Sequence, residues 1–121
     1  MRYTSLYETA DGESHFKDLE IEFTAGDYIE SAPPVDSSGI TSVEHLSFMR
    51  VPPGWSSEWH PSAARAMFFV LTGEWEVTAS DGETRRFARG SALLAEDLTG
   101  KGHRSRVISE CDSVAAVVRL E

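Results

Sequence analysis

The chain contains four histidines, and two of them lie where they could support chemistry. His60 lies in a Gly- and Pro-rich segment, and His103 ends a Gly-Lys-Gly turn. Imidazole changes its protonation state near neutral pH and also binds divalent metals. These residues therefore suit either proton transfer or metal ligation. His15 and His45 lack such a context, and we expect them to be surface or hydrogen-bonded side chains.

Two carboxylates, Glu96 and Asp97, come just before the turn that delivers His103. A buried carboxylate beside a histidine fixes its tautomer and stabilises its cation. A solvated strand end or a turn cap is an equally good interpretation of this pair. Strand alternation prevents both side chains from facing one cavity, so the sequence leaves open which of the two supports the histidine.

The elements that must position these groups are short strands. Apolar or alternating runs recur between Gly, Pro, Asp and Ser clusters at intervals of about eight to twelve residues, which predicts an all-β sandwich or barrel. The best tight-hairpin signal is Asp81-Gly82. The predicted strands are Leu19 to Phe23, Val43 to Val51, Ser56 to His60, Ala66 to Leu71, Glu74 to Ala79, Thr84 to Ala88, Ser91 to Ala95, His103 to Ile108 and Val114 to Leu120.

Residues 1–42 differ from the rest of the chain because they are acidic and contain breaks such as Ala32-Pro33-Pro34. We expect an arm with one or two edge strands that lies against a barrel formed by residues 43–121. Phe16, Phe23 and Tyr28 are its predicted anchors, because such a segment becomes ordered only if it buries apolar surface.

Several spaced segments together resemble the two conserved motifs of the cupin superfamily. They are Pro53-Gly54, Trp59-His60, Phe69 to Glu74, Phe87 to Gly90 and Gly100 to His103. The resemblance is to small bacterial single-domain cupins. It implies one domain with an antiparallel double-stranded β-helix, the jelly-roll barrel, and it implies that His60 and His103 both reach the barrel mouth.

The resemblance to the cupin metal motif is partial. Gly54 followed by five residues and His60 matches the start of the first motif, and His103 matches the second. The second histidine of the family falls at Ser62, and its Glu or Gln falls at Ala66. Two of the four expected ligands are therefore replaced, and no cofactor is required by what remains.

A register shifted by two residues would keep a metal site. Glu58-Trp59-His60 then replaces the His-x-His pair, and alternation puts Glu58 and His60 on one face. With His103 they would form a three-ligand site for Fe, Mn, Ni or Zn, since a functional Zn or Fe centre normally has at least three protein ligands.

The leading functional hypothesis is a small-molecule enzyme that performs His-based acid-base chemistry, of the isomerase, cyclase, dehydratase or epimerase type. His60 or His103 would be the base, supported by Glu96 or Asp97. The alternatives are a metal-dependent cupin, either a dioxygenase or a metal-assisted cyclase, and a non-catalytic ligand-binding cupin. The losses at Ser62 and Ala66 favour the last.

Aromatic and basic side chains near the histidines are candidates for contact with a small organic substrate. Trp55 and Trp59 flank the predicted site, Phe68 belongs to the next predicted strand, and Arg104 follows His103. We expect most of the aromatic side chains to belong to the core, because a chain of 121 residues needs large side chains to bury enough surface. A solvated face is the alternative interpretation of the arginines.

Composition limits the partners. Twenty acidic and eleven basic residues give a net charge of -9, which disfavours nucleic acid and anionic membrane surfaces. The longest apolar run, Ala66 to Leu71, is too short to cross a bilayer, and the N-terminus does not resemble a secretion signal. The single cysteine, Cys111, excludes an internal disulfide. We therefore expect a soluble, cytoplasmic protein, and the resemblance to small cupins implies a homodimer.

Overall fold

The structure is a computed structural model that describes all 121 residues and consists of eleven β-strands joined by turns and loops. No helix in it is long and apolar enough to cross a membrane. The strands are β1 (Arg2–Glu8), β2 (Ser14–Glu20), β3 (Thr24–Gly26), β4 (Val35–Ser37), β5 (Val43–Val51), β6 (Ala66–Thr72), β7 (Glu74–Ala79), β8 (Thr84–Ala88), β9 (Ala92–Ala95), β10 (His103–Val107) and β11 (Ser113–Leu120).

Two sheets form the barrel, and a small third sheet lies in the N-terminal region. The larger sheet has the order β2-β1-β9-β6-β11-β5, the second has the order β10-β7-β8, and β3 pairs only with β4. All neighbours are antiparallel except β1 and β9. The chain thus has the predicted all-β jelly-roll architecture.

The core lies between the two barrel sheets. Leu6, Phe16 and Val70 extend inward from the larger sheet and meet Trp75 and Phe87 of the smaller one. Inward and outward residues alternate along each of these strands. In Glu74–Ala79, for example, every second residue is buried. The indole Nε1 of Trp75, which is buried, donates a hydrogen bond to a serine of β11, so one large side chain joins the two sheets.

Most strands follow the predicted pattern, and three segments differ. β5, β7 and β8 have the predicted bounds, and the Asp81-Gly82 turn joins β7 to β8 with a positive φ of 96° at Gly82. The segment 56–60 forms only isolated bridges, at Ser56 and His60. The strand expected at 19–23 overlaps β2 only at Leu19 and Glu20, because β2 runs from Ser14 to Glu20. β1 was not predicted, because its polar residues obscure the alternation.

The N-terminal residues divide differently from the expected arm. β1 lies inside the larger sheet, between β2 and β9, so residues 2–20 belong to the barrel. Phe16 is buried there as predicted, but Phe23 and Tyr28 remain 50% and 54% exposed. These two side chains are therefore not anchors within the chain, and the two strands of segment 21–42, β3 and β4, pair with each other.

The expectation that most of the aromatic side chains lie in the core is also wrong for this chain. Of the seven aromatics outside the N-terminal segment, only Trp75 and Phe87 are buried. Phe48 and Phe69 lie on the outward face of the larger sheet, while Trp55 and Trp59 lie in the loop before β6. The barrel interior instead contains a cavity, so fewer large side chains fill it.

Candidate functional site

His60 and His103 meet because the segment before β6 forms a bridge with the first residue of β10. The backbone N–H of His60 donates to the carbonyl of His103 at 2.9 Å, and the reverse hydrogen bond measures 3.0 Å. The two imidazole ring centroids lie 4.7 Å apart. This confirms that the fold brings the two predicted imidazoles together.

Gly102 permits this close approach. Its φ is +71°, and a Cβ atom at this position would lie 2.2 Å from the backbone carbonyl of His60. Any side chain here would push the two histidine-bearing segments apart. The glycine before His103 is therefore a requirement of the histidine pair.

Asp97 is the carboxylate that supports His103. Its side chain is fully buried, and its Oδ2 lies 2.6 Å from Nδ1 of His103. Its Oδ1 accepts a hydrogen bond of 2.7 Å from the hydroxyl of Ser62. Ser62 is the position where a second motif histidine was expected, so here it holds the carboxylate instead.

These contacts fix the tautomers of both rings. The carboxylate of Asp97 accepts, so Nδ1 of His103 carries a hydrogen, and Nδ1 of His60 likewise donates to the carbonyl of Pro61 at 3.0 Å. Nε2 of each neutral ring then carries a lone pair. Nε2 of His103 makes no hydrogen bond. Because every buried side-chain nitrogen has a hydrogen-bond partner, this atom is not buried, and it is accessible to a ligand.

Both rings line a cavity of about 590 Å³ between the two sheets. His103 is buried in its wall, whereas His60 is more exposed. Most of the remaining lining is apolar, and Trp55 and Phe68 belong to it as predicted. Ala66, where the family motif has a carboxylate or amide, lines it as well.

Sequence reasoning missed four polar side chains of the cavity wall, which are His45, Ser47, Ser105 and Arg119. His45 and Ser47 lie two residues apart on the same face of β5, and Arg119 of β11 lies opposite His45. Alternation along β5 could have indicated the first two. Arg119 is half exposed at the edge of the cavity, and its Nε forms an ion pair with Glu44 at 3.0 Å.

Glu96 does not join the histidines. Its Oε1 accepts a hydrogen bond of 2.7 Å from Arg65, and its Oε2 accepts one of 2.9 Å from Ser5. The predicted alternation explains this result, since Glu96 and Asp97 turn to opposite sides. The sequence left open which of the two carboxylates supports His103, and the structure identifies Asp97.

Trp59, Arg104 and Glu58 lie outside the cavity, in a polar groove on the other side of β10. The guanidinium of Arg104 stacks over the Trp59 ring at 5.1 Å. The prediction that Trp59 and Arg104 contact a ligand beside the histidines is therefore wrong. The cause is again alternation, because His103 faces inward and Arg104 outward.

The proposed metal site of Glu58, His60 and His103 is not assembled. Glu58 lines the outer groove, and no group of three His, Cys, Asp or Glu side chains is arranged to hold a metal ion. Asp97 is near the pair, but Nδ1 of His103 and the Ser62 hydroxyl occupy its two oxygens. These residues do not fit the three-ligand requirement of a Zn or Fe centre.

The N-terminal hairpin holds the turn that carries His103. The Ser14 hydroxyl donates to the carbonyl of Gly102 at 2.7 Å, and the backbone N–H of Lys101 donates to Gly12 at 2.9 Å. Lys101 also forms an ion pair with Glu13. That hydrogen-bonded pair lowers the pKa of Glu13 and raises the pKa of Lys101. Residues 12–14 thus help to position the site.

Comparisons with known proteins agree with this architecture. The model of the cupin domain matches residues 47–117. A Cupin 2 conserved barrel domain protein from Salinispora arenicola has a similar structure, with a TM-score of 0.53 at 19% identity over 85% of this chain and 79% of that chain. The Cnp3 cupin domain of Schizosaccharomyces pombe has a TM-score of 0.51 at 13% identity, over 100% of this chain and 83% of that chain.

No curated protein matches the sequence, and identities this low reveal the fold alone. The family match covers more than half of the chain and includes His60, His103 and most of the residues that line the cavity. The chain therefore belongs to the cupin domain family.

Proposed function

We propose that this cupin is an enzyme that moves protons on a small organic substrate bound in the cavity, as in isomerisation, epimerisation, dehydration or cyclisation. The observation that carries the proposal is the buried hydrogen bond of 2.6 Å between Asp97 and Nδ1 of His103, on a ring whose Nε2 is accessible. A carboxylate in this position orients an imidazole and fixes its tautomer.

His103 would be the base, and His60 the second proton-transfer group. Nε2 of His103 takes a proton from an acidic C–H, and the positive charge that develops on the ring is stabilised by Asp97. His60 is close enough to act on the same substrate, since the ring centroids lie 4.7 Å apart. One ring can therefore remove a proton while the other, when protonated, returns one.

The cavity supports a substrate with an apolar body and an anionic or strongly polar group. Its lining includes Phe68, Trp75 and Leu93, against which an aromatic or aliphatic body would pack. Arg119, which already pairs with Glu44 through Nε, is the arginine of the lining and would be the partner of a carboxylate or an enolate oxygen. The proposed substrates are therefore small carbonyl compounds, some of them organic acids.

The test measures exchange of carbon-bound hydrogen with solvent, which needs no knowledge of the complete reaction. A panel of aryl and alkyl ketones, β-keto acids and α-hydroxy ketones is incubated with the protein in D₂O, and loss of the C–H signal is followed by proton NMR. We expect accelerated exchange for some of these compounds, a strong loss in His103→Ala, and a loss in His60→Ala. His15→Ala is the matched control outside the cavity and should retain the activity.

Exchange that persists at the unmodified rate in His103→Ala would contradict the proposal. Elemental analysis of the same preparations measures bound Fe, Mn, Ni and Zn. Stoichiometric metal that is lost in His60→Ala and His103→Ala would favour the metal-dependent alternative.

A non-catalytic ligand-binding cupin is the second candidate. The observation that favours it is the replacement of two motif positions by Ser62 and Ala66, both of which line the cavity. In that case compounds of the panel would bind, as measured by calorimetry, without any hydrogen exchange. Binding would then survive substitution of His103.

A further inference from the structure

A second concave surface, of about 450 Å³, lies on the outward face of the smaller sheet. It is the outer groove that contains Trp59 and Arg104, and its volume is within the range of about 300–1,000 Å³ that is typical of small-molecule sites. The outward side of β7 and β10 forms its floor. Residues 56–59 form its rim, since Ser56 bridges to Arg106. The groove and the cavity with the histidines therefore lie on opposite sides of β10.

One guanidinium of the outer groove has no anionic partner. Arg104 takes part in none of the ion pairs of the chain. Its guanidinium lies 5.1 Å from the centre of the Trp59 ring, and this stacking restricts the positions of the side chain. Its N–H groups donate no hydrogen bond within the chain, unlike those of Arg106 beside it. A positioned guanidinium with free N–H groups is suited to bind a carboxylate or a phosphate through two hydrogen bonds.

Hydroxyl groups line the outer groove beside this guanidinium. Thr78 of β7 lies opposite Arg104 of β10, and Thr84 of β8 lies opposite Thr78. The two threonine Oγ1 atoms lie 2.9 Å apart, so one hydroxyl hydrogen is used between them and the other is free to donate. The Ser57 hydroxyl accepts a hydrogen bond of 3.0 Å from the backbone N–H of Ser105, which leaves its own hydrogen free. The groove thus offers two hydroxyl donors in addition to the guanidinium.

The carboxylates of the outer groove differ in how their charge is compensated. Arg106 contacts Oε1 of Glu76 at 2.8 Å, and Arg86 lies 3.7 Å from its Oε2. Glu58 of the rim takes part in no ion pair, and an ionised carboxylate only accepts hydrogen bonds. A ligand that matches both uncompensated groups therefore has an oxyanion for Arg104 and hydroxyl donors for Glu58.

We infer that the outer groove is a second binding site, for a monosaccharide that carries an oxyanion, either a sugar acid or a sugar phosphate. The oxyanion binds to Arg104 and to the free hydroxyl of the Thr78–Thr84 pair, and hydroxyl groups of the sugar donate to Glu58. This inference does not depend on the proposed enzymatic function, because the groove does not include the two histidines.

The test follows the indole N–H signals of the three tryptophans in ¹H–¹⁵N spectra. Trp59 lies in the groove, whereas Trp55 and Trp75 line the cavity, so the signals report the two sites separately. Trp59→Phe assigns the groove signal. The probes are glucuronate, glucose 6-phosphate, glucose and inorganic phosphate, each added to the unmodified protein.

At least one of glucuronate and glucose 6-phosphate should shift the Trp59 signal saturably. It should bind at least about tenfold more tightly than glucose and inorganic phosphate, since each of these lacks one part of the ligand. Which of the two binds more tightly identifies the oxyanion as a carboxylate or a phosphate.

Substitutions test the assigned contacts. Arg104→Gln should weaken binding of the sugar oxyanion by at least about tenfold, and Arg104→Lys should give a smaller loss, because it keeps the charge without the two-hydrogen-bond geometry. Arg89→Gln is the matched control, since it removes a guanidinium at an exposed turn beyond β8. It should bind as the unmodified protein does, and so should His103→Gln, which changes the cavity. Circular dichroism verifies that each variant is folded.

Several results would overturn the inference. One is a Trp59 signal that none of the probes shifts at about 20 mM. Another is a shift of the Trp55 or Trp75 signal alone, which would place the ligand in the cavity. Equal affinities for glucose 6-phosphate and inorganic phosphate, without binding of glucuronate, would indicate a simple anion patch. Unchanged binding in a folded Arg104→Gln protein would also contradict the inference.

Discussion

The two sides of β10 present different surfaces. On the inward side, His103 and Ser105 face the cavity, where Asp97 lies buried behind His103. On the outward side, Arg104 and Arg106 face the polar groove. Residues that are neighbours in the sequence therefore belong to different environments, and adjacency along the chain does not define the site.

The environments differ in how their charges are compensated. In the outer groove, Arg106 forms an ion pair with Glu76 at 2.8 Å, and Arg86 contacts the same carboxylate. The cavity side has one buried carboxylate, whose partner is an imidazole with a free nitrogen. The groove is thus a solvated network of ion pairs, whereas the cavity holds a group that can react.

The largest effect should come from a substitution of Asp97, which lies on the cavity side of β10. Asp97→Asn removes the charge that stabilises the His103 cation, and we expect hydrogen exchange on an active compound to fall by about 10²- to 10⁴-fold. Ser62→Ala removes only one of the two contacts of the carboxylate and should have a smaller effect. An Asp97→Asn protein that remains folded and fully active would contradict this role for the carboxylate.

Gly102→Ala should disrupt the cavity side of β10 through the backbone, because the new Cβ atom would overlap the backbone of His60. The positive φ alone costs about 1–3 kcal/mol for a residue with a side chain, and the overlap with His60 adds to it. We expect a lower Tm and weaker ligand binding than in Gly82→Ala. Gly82 is the matched control, because it also has a positive φ but nothing within 4 Å of its Cβ position. Equal losses in the two variants would exclude a special role for Gly102.

The Lys101–Glu13 pair should give a smaller, pH-dependent effect on the turn before His103. Because the pKa of Glu13 is lowered in the folded state, its contribution to stability is present above about pH 4.3 and is lost as the pH falls below this value. Because the pKa of Lys101 is raised, the contribution of the pair is also lost above about pH 10.4.

We therefore expect Lys101→Met to lower the Tm slightly at pH 7, and we expect this difference in Tm to become smaller as the pH falls toward 3. Thermal unfolding of both proteins across this range is the measurement. A difference in Tm that grows as the pH falls from 7 to 3 would contradict the assigned role of the pair.

The smallest effect should come from the outer groove. Arg104→Gln removes the guanidinium stacked on Trp59 without touching the cavity. Stability should change by no more than about 0.5 kcal/mol, and cavity binding should change by less than about twofold. Calorimetry with a cavity ligand checks this. A tenfold loss of affinity would place the groove in the same functional site as the histidines.

Much of the barrel could be predicted from the sequence because alternation and turn residues are local signals. Val43–Val51, Glu74–Ala79 and Thr84–Ala88 were predicted with their observed bounds. β1 could not be found in this way, since its polar residues obscure the alternation although its antiparallel partner β2 is the next strand in the chain. The exposed state of Phe23 and Phe48 could not be predicted either, because hydrophobicity does not reveal whether a residue is covered by its own chain.

The candidate site was predictable in part. The motif resemblance located His60 and His103, and alternation correctly excluded Glu96 and Asp97 from facing the same side. Alternation within 103–107 also separates Arg104 from His103, although the two residues are neighbours in the sequence. Arg119 could not be found without the structure, because only the pairing of β11 with β5 and β6 brings it to the cavity.

The most direct test of the central claim is the protonation of the His103 ring in solution. Long-range ¹H–¹⁵N correlation spectra, recorded where the ring is neutral and assigned with His103→Gln, distinguish the two tautomers. The account predicts hydrogen on Nδ1, held by Asp97, and a lone pair on Nε2, with this preference lost in Asp97→Asn. A neutral ring that carries its hydrogen on Nε2 in the unmodified protein would contradict the account.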